Sequence, residues 1–297
     1  MRLLNYSDEN MYFHHAYDDN PRQKDYHLHT HSTNYTIFYL IQGQGSYMVE
    51  GYEYAYRPDS LIIMRPNEVR KHLVDSRYAF ERALFYFSDA VLASIDPGRL
   101  LAAPFLDRPL GVGNQYFSHE LQYHLPQLIR SLCQSRPEEP YFRTKMLATL
   151  GVVLMAIYEA FQRRKDAPPQ PVPLPARIVG YVNDNIYENL TMDQIAARFY
   201  ISSAQLWRIF KEATGYAPGD YIRLKRVSEA RRLIEAGVPV HKAAAQCGYS
   251  DYSAFFRAYK REFHQSPTGR SRSPAEQEKE GGTVEKADPL KKYNEKL

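Results

Sequence analysis

The sequence predicts a two-domain α+β chain, with an N-terminal β domain completed by helices and an all-α C-terminal domain carrying two helix-turn-helix units. Three observations predict it. Residues 1–110 alternate runs rich in Tyr, Ile, Val and Phe with Gly-containing turns, the pattern of short strands in a closed or sandwiched β domain. Residues 166–175, "DAPPQPVPLP", hold five prolines in ten positions, which rules out a helix interior and favours extended geometry. Residues 176–264 carry apolar positions at helical spacing, in a pattern that occurs twice. The expected division is therefore 1–165, a linker at 166–175, 176–270, and a tail at 271–297. That tail is charged, poor in large apolar residues and broken by Gly-Gly and Pro, so disorder is expected there.

Taken in order, "IQGQGS" and "VEGYE" read as hairpin turns and "LIIM" as a buried strand. Two helices are expected over 117–134 and 141–164. In the first, Leu121, Leu125, Leu128 and Leu132 form a stripe that packs either on the β domain or on a second copy of the chain. In the C-terminal part, "LTMDQIAARFY" opens on Thr191 and Gln194 at capping-box spacing. "SAQLWRIFKEA" follows after a short turn and ends at Gly215. Pro218 fits the first turn of a long helix of some eighteen residues, ended by Gly237. The pattern then repeats as "VHKAAAQC", the turn "GYS" and the helix "DYSAFFRAYKREF".

Composition narrows the class. With 44% hydrophobic and 24% charged residues the chain reads as a soluble globular protein. Its most apolar run, "MLATLGVVLMAIYEAF", reads as too short to span a bilayer, and the N-terminus lacks the apolar core of a secretory signal. A cytoplasmic chain with no membrane partner is expected. Cys133 and Cys247, far apart, imply neither a disulfide framework nor a metal site and read as small buried apolar residues. Charge is segregated: 18 Lys/Arg against 18 Asp/Glu in residues 1–165, but 14 against 9 in residues 176–270. A basic excess on two helix-turn-helix units joined by one long helix points to double-stranded DNA, because the second helix of such a unit fits the major groove. Leu206, Ile209 and Phe210 are expected to face the core of the first unit. Ser203, Ala204, Gln205, Trp207, Arg208 and Lys211 are expected to face DNA, as are Tyr252, Ser253, Phe256, Arg257 and Arg261 in the second.

Residues 188–268 resemble the arabinose-regulator (AraC) family of bacterial transcription factors. Its first signature is matched by Leu206, Arg208, Phe210, Lys211, Thr214, Gly215 and Pro218, and its second by Gly248, Tyr249, Ser250, Phe255, Arg257, Tyr259, Lys260, Phe263 and Pro267. Ala243, His264 and Gly269 depart from the pattern, where isoleucine, glycine and an aromatic are usual. Residues 29–72 are similar to the cupin-type sensor barrel common in that family. The resemblance implies a ligand-responsive regulator, a homodimer with a cupin-like N-terminal sensor. RNA polymerase is admitted as a further partner, although no residue signature marks that contact.

"HLHTHS" sets His27, His29 and His31 at period two, so on a strand all three point to one side and could ligate Zn²⁺ or Fe²⁺. Thr36 and Arg70 stand where metal-binding cupins usually have glutamate and histidine, which argues against a metal, a cofactor or catalytic residues. The expected alternative is a binding pocket for a sugar-like effector, formed by His27, His29, His31, Tyr39, Arg65, Arg70 and His72. Sixteen of the 25 tyrosines lie in residues 1–165, and flat rings with a polar tip suit sugars. Two readings compete with the regulator: a metal-dependent cupin enzyme with an accessory DNA-binding domain, and a constitutive DNA-binding protein whose barrel only dimerises.

Overall fold

The computed structural model describes residues 2–22, 34–164, 171–263 and 265–268. His27, His29 and His31, residues 166–170 of the Pro-rich run, His264 and the 271–297 tail lie outside the described residues. Nine strands are described, β1 Arg2–Ser7, β2 Met11–Asp18, β3 Asn34–Gln42, β4 Gly45–Val49, β5 Tyr52–Tyr56, β6 Ser60–Met64, β7 Arg70–Val74, β8 Phe80–Ser88 and β9 Gln115–Phe117. They form two antiparallel sheets, ordered β1-β2-β8-β3-β6-β9 and β5-β4-β7.

The larger sheet is buried on both faces, which explains why β3 reads as an unbroken apolar run rather than an alternating one. One face, with Phe38, Leu40, Ile62, Met64 and Leu84, packs against Tyr47, Val49, Tyr56 and Val74 of the smaller sheet. Tyr35, Ile37, Tyr39, Leu61, Ile63 and Phe85 point the other way into a second cluster. Helices α1 Asp89–Ile95, α2 Ala103–Leu106, α3 Leu125–Cys133 and α4 Phe142–Arg164 complete that cluster. Among them, Val91, Phe105, Ile129, Leu132, Leu150 and Leu154 are buried there, each contributing about 1.5–3 kcal/mol relative to exposure.

Three expectations are corrected. "IQGQGS" is not a hairpin, because β3 and β4 lie in different sheets; the Gly43 turn carries the chain across, with Gly43 at φ 116. The helix expected from residue 117 starts only at Leu125, since Tyr123 and His124 are left-handed (φ 68 and 49) and Pro126 sits in the first turn. Its stripe packs within the chain, with Leu125 and Leu132 buried and Leu121 and Leu128 against the same cluster. Helix α4, at 23 residues, is long and apolar enough to cross a membrane by length and composition, against the expectation that this segment is too short. Its Met146, Leu150, Val153, Leu154 and Ile157 are fully buried in the core of the β domain, which accounts for that apolarity.

Six further helices follow, α5 Leu174–Asp184, α6 Met192–Arg198, α7 Ser203–Thr214, α8 Pro218–Glu235, α9 Val240–Gln246 and α10 Tyr252–Phe263. The pairs α6–α7 and α9–α10 are the two helix-turn-helix units. Contacts group the chain into two compact units, 1–185 with 189–221, and 186–188 with 222–297. The first helix-turn-helix pair thus groups with the sheets, and the second is built on its own core of Ala230, Ala244, Cys247, Phe255 and Tyr259.

Candidate functional site

Helix α7 is placed by reciprocal capping. The Ser202 hydroxyl accepts from the Gln205 N–H at 3.2 Å, and Gln205 Oε1 accepts from the Ser202 N–H at 2.9 Å. Ser203 Oγ donates to Asp193 Oδ1 at 2.7 Å, tying the start of α7 to the first turn of α6. Leu206 and Phe210 are fully buried, as their spacing requires, and Ile209 is half-buried. The opposite face presents Ala204, Trp207, Arg208 and Lys211, all exposed, with Trp207 47% exposed despite its size. Lys211 Nζ lies 4.6 Å from the centre of the Trp207 ring, a cation–π pair that orients both. Arg208 makes no hydrogen bond or ion pair among the described residues, so its planar fork is available to a base edge or a phosphate. Of the six residues expected to face DNA, Gln205 is partly engaged by capping and Ser203 by its bond to Asp193, and the other four form the open face.

The second unit repeats this. Asp251 caps α10, accepting from the Ser253 and Ala254 N–H groups at 2.9 and 3.1 Å. Tyr252, Ser253, Arg257 and Arg261 are exposed, Phe256 is half-buried, and Phe255 and Tyr259 pack inward. Sequence reading passed over Tyr200, which stands 94% exposed in the turn just before α7 with φ 56. Overlaying the two turns would have singled it out. Ile201 N–H bonds Ala196 O at 3.1 Å just as Tyr249 N–H bonds Ala244 O at 3.1 Å, so Tyr200 occupies the place that Gly248 (φ 78) holds in the second turn.

In the β domain the expected pocket residues separate. Arg70, His72 and Val74 alternate with outward positions on β7, and Thr36, Phe38 and Leu40 do so on β3, so both sets face the space between the sheets. There Arg70 is 4% exposed and its Nη2 has no hydrogen-bond partner among the described residues; the buried Thr36 Oγ1 has none either. His72 is held structurally, stacked on Tyr47 (4.2 Å between ring centres, 3° between planes) with Nε2 2.5 Å from the Tyr56 hydroxyl. Tyr39 is not brought to this space. Adjacent to Phe38, it points to the opposite face, where its hydroxyl donates to Asp59, itself 3.1 Å from Arg130. Burial, reinforced by Asp59, raises that phenol well above its ordinary pKa.

Arg65 is likewise turned elsewhere. Its Nη1 donates to the carbonyls of Leu106 and Arg108 at 3.3 and 3.2 Å, and burial lowers its pKa. It lines a separate cleft of about 560 Å³ with Tyr52, Arg177, Tyr181, Asn183 and Arg198. No group of three His, Cys, Asp or Glu side chains among the described residues could hold a metal ion. Burial pushes both thiols, Cys133 and Cys247, up to about 12.

Two family descriptions match this chain, an AraC-like ligand binding domain over residues 14–149 and a helix-turn-helix domain over 195–272. The probable transcriptional regulator LumQ of Photobacterium leiognathi is 25% identical over 158 residues, 52% of this chain and 62% of that one. The HTH-type transcriptional activator RhaS of Shigella dysenteriae serotype 1 is 23% identical over 254 residues, 82% of this chain and 87% of that one. Among solved structures, ToxT from Vibrio cholerae is similar over 87% of this chain and 97% of its own, with a TM-score of 0.39 and 13% identity. With an AraC-like ligand-binding domain ahead of a helix-turn-helix domain, the chain belongs to the AraC family of transcription regulators, which are DNA-binding proteins and not enzymes.

Proposed function

We propose that this regulator answers to a small, sugar-like effector held between the two sheets of its β domain, and that occupancy there alters how its helix-turn-helix units read DNA. The observation that carries the reading is the pair of buried, unpartnered polar groups, Arg70 Nη2 and Thr36 Oγ1, facing one interior. Leaving such a donor without an acceptor costs about 1–3 kcal/mol. A hydroxyl- or carboxylate-bearing ligand supplies the oxygen a guanidinium N–H needs. The aromatic wall beside it, Phe38, Tyr47, Tyr56 and Phe80, supplies flat apolar faces for a sugar ring.

Sequence-specific contacts are assigned to Arg208, Trp207 and Lys211 on α7 and to Tyr252, Ser253, Arg257 and Arg261 on α10. Homodimerisation, RNA polymerase as a further partner and a cytoplasmic location belong to the same proposal. Because the Leu121/125/128/132 stripe is used within the chain, a dimer would need another surface.

The test is a thermal-shift screen of the full chain against pentoses, hexoses, deoxyhexoses and their uronic acids, repeated on Arg70→Met. A sugar that raises the wild-type melting temperature and not that of the variant supports the reading. A screen in which no sugar does so sinks it and favours a β domain that serves only in assembly.

A further inference from the structure

Hairpin β4–β5 turns on two residues, Glu50 (φ 49) and Gly51 (φ 86), both left-handed. That turn geometry favours Asn-Gly, and a longer side chain at its first position is strained. The strained residue is also buried: Glu50 is 2% exposed at the tip of a hairpin, where a carboxylate ordinarily reaches water. Its partners explain the burial. Oε1 accepts from the Val69 N–H at 2.7 Å. Oε2 accepts from Asn183 Nδ2 at 3.1 Å and from the Tyr221 hydroxyl, which also lies 2.9 Å from Asn183 Oδ1.

Asn183 belongs to α5 and Tyr221 to the first turn of α8, so one carboxylate of the β domain reaches two helices of the reading unit. Tyr221 is fully buried and meets Phe210 of α7 edge to face, 5.1 Å between ring centres. Gly51 permits the approach. A Cβ there would stand 2.9 Å from Ala176 Cα and 3.0 Å from the Pro175 carbonyl carbon, in the first turn of α5. Meanwhile Trp207, Arg208 and Lys211 stay exposed, so the contact fixes where α7 stands without covering the face that reads.

We infer that Glu50 is a positioning residue for DNA reading, a releasable tie by which the effector domain restrains the first helix-turn-helix unit. Two observations favour a tie built to open. Left-handed strain at Glu50 makes the closed contact costly to hold. The tie is also next to the proposed effector site: Val69, whose N–H Glu50 accepts, precedes Arg70, and Arg70 pairs with Val49 on β4. An effector drawing on Arg70 therefore acts one residue from both strands that carry the tie. The restraint itself does not depend on the effector's identity; only its link to Arg70 rests on the function proposed above.

The experiment uses full-length wild type, Glu50→Ala, Tyr221→Phe and the double variant. DNA fragments are enriched by the wild type from sheared genomic DNA, and affinity for them is measured without added small molecule. Tyr221→Phe keeps the ring against Phe210 and removes only the hydroxyl, so it stays informative if Glu50→Ala fails to fold. Release predicts a rise in affinity of about 5- to 150-fold in each single variant, with the double variant no tighter than either. A merely structural contact would lower melting temperature and affinity together. Unchanged or weakened binding in the folded variants overturns the inference. Failure of the wild type to enrich any DNA would instead overturn the regulator reading.

Discussion

A tyrosine at position 200 sits on a backbone turned to φ 56, while its counterpart in the second helix-turn-helix unit is Gly248 at φ 78. The two sites respond oppositely to substitution. Tyr200 is almost fully exposed, so Tyr200→Gly relieves left-handed strain at little packing cost and is expected to raise stability by about 0.5–1 kcal/mol in chemical denaturation. Gly248→Ala would set a Cβ 2.9 Å from the Tyr187 carbonyl oxygen, beside Arg226, and is expected to destabilise by more than about 1 kcal/mol. On the reading face, Arg208→Ala is expected to weaken specific binding by about 1–3 kcal/mol in a titration against the enriched DNA, with an unchanged footprint excluding Arg208 from the interface. Arg208 was legible because helical spacing alone assigns its face. Glu50 was not, since a glutamate before a glycine at a hairpin tip reads as solvated, and its partners lie 133 and 171 positions away in sequence.

Between elements, the β6–β7 turn is locked by a buried ion pair that no local pattern announces. Glu68, fully buried, accepts from Arg108 Nη1 and Nη2 at 2.7 and 2.9 Å, from the Gly111 N–H at 3.0 Å and from Asn114 Nδ2 at 3.0 Å. Burial alone would raise the pKa of this carboxyl. Arg108, by charge and hydrogen bonds, outweighs burial and holds it below its ordinary 4.5. A folded-state pKa below the unfolded one contributes stability that is present above about pH 4.5 and lost as pH falls through the folded value. Acid unfolding of Glu68→Gln is therefore expected to be flatter below that pH than in the wild type. Arg108→Met leaves the carboxylate buried without its cation and is expected to cost about 3–5 kcal/mol at pH 7. Most strands and helix ends were legible because turns, caps and periodicity are local, whereas α1 and α2 fall within residues 1–110, a stretch read as strands throughout. The start of α3 was missed because left-handed backbone at Tyr123 and His124 overrides an apolar spacing that extends one turn further back. The sheet change at Gly43 was missed because a glycine turn between two strands reads the same whether or not those strands pair.

For the molecule as a whole, segregated charge was the most useful feature of the sequence. If the basic excess of residues 176–270 meets phosphates, affinity for the enriched DNA is expected to fall steeply between about 50 and 200 mM salt; a flat dependence would remove the phosphate contacts. The long helix α8 has a different consequence. The border between the two compact units falls within it, after Tyr221, so its first turn packs with one unit and the rest with the other. Hydrogen exchange should then change its protection level partway along one continuous helix, with amides near Tyr221 tracking the sheets and those near Ala230 tracking the Phe255 core. Calorimetry of the free chain should show a measured enthalpy exceeding the van't Hoff value, because two blocks melt and no single transition describes them.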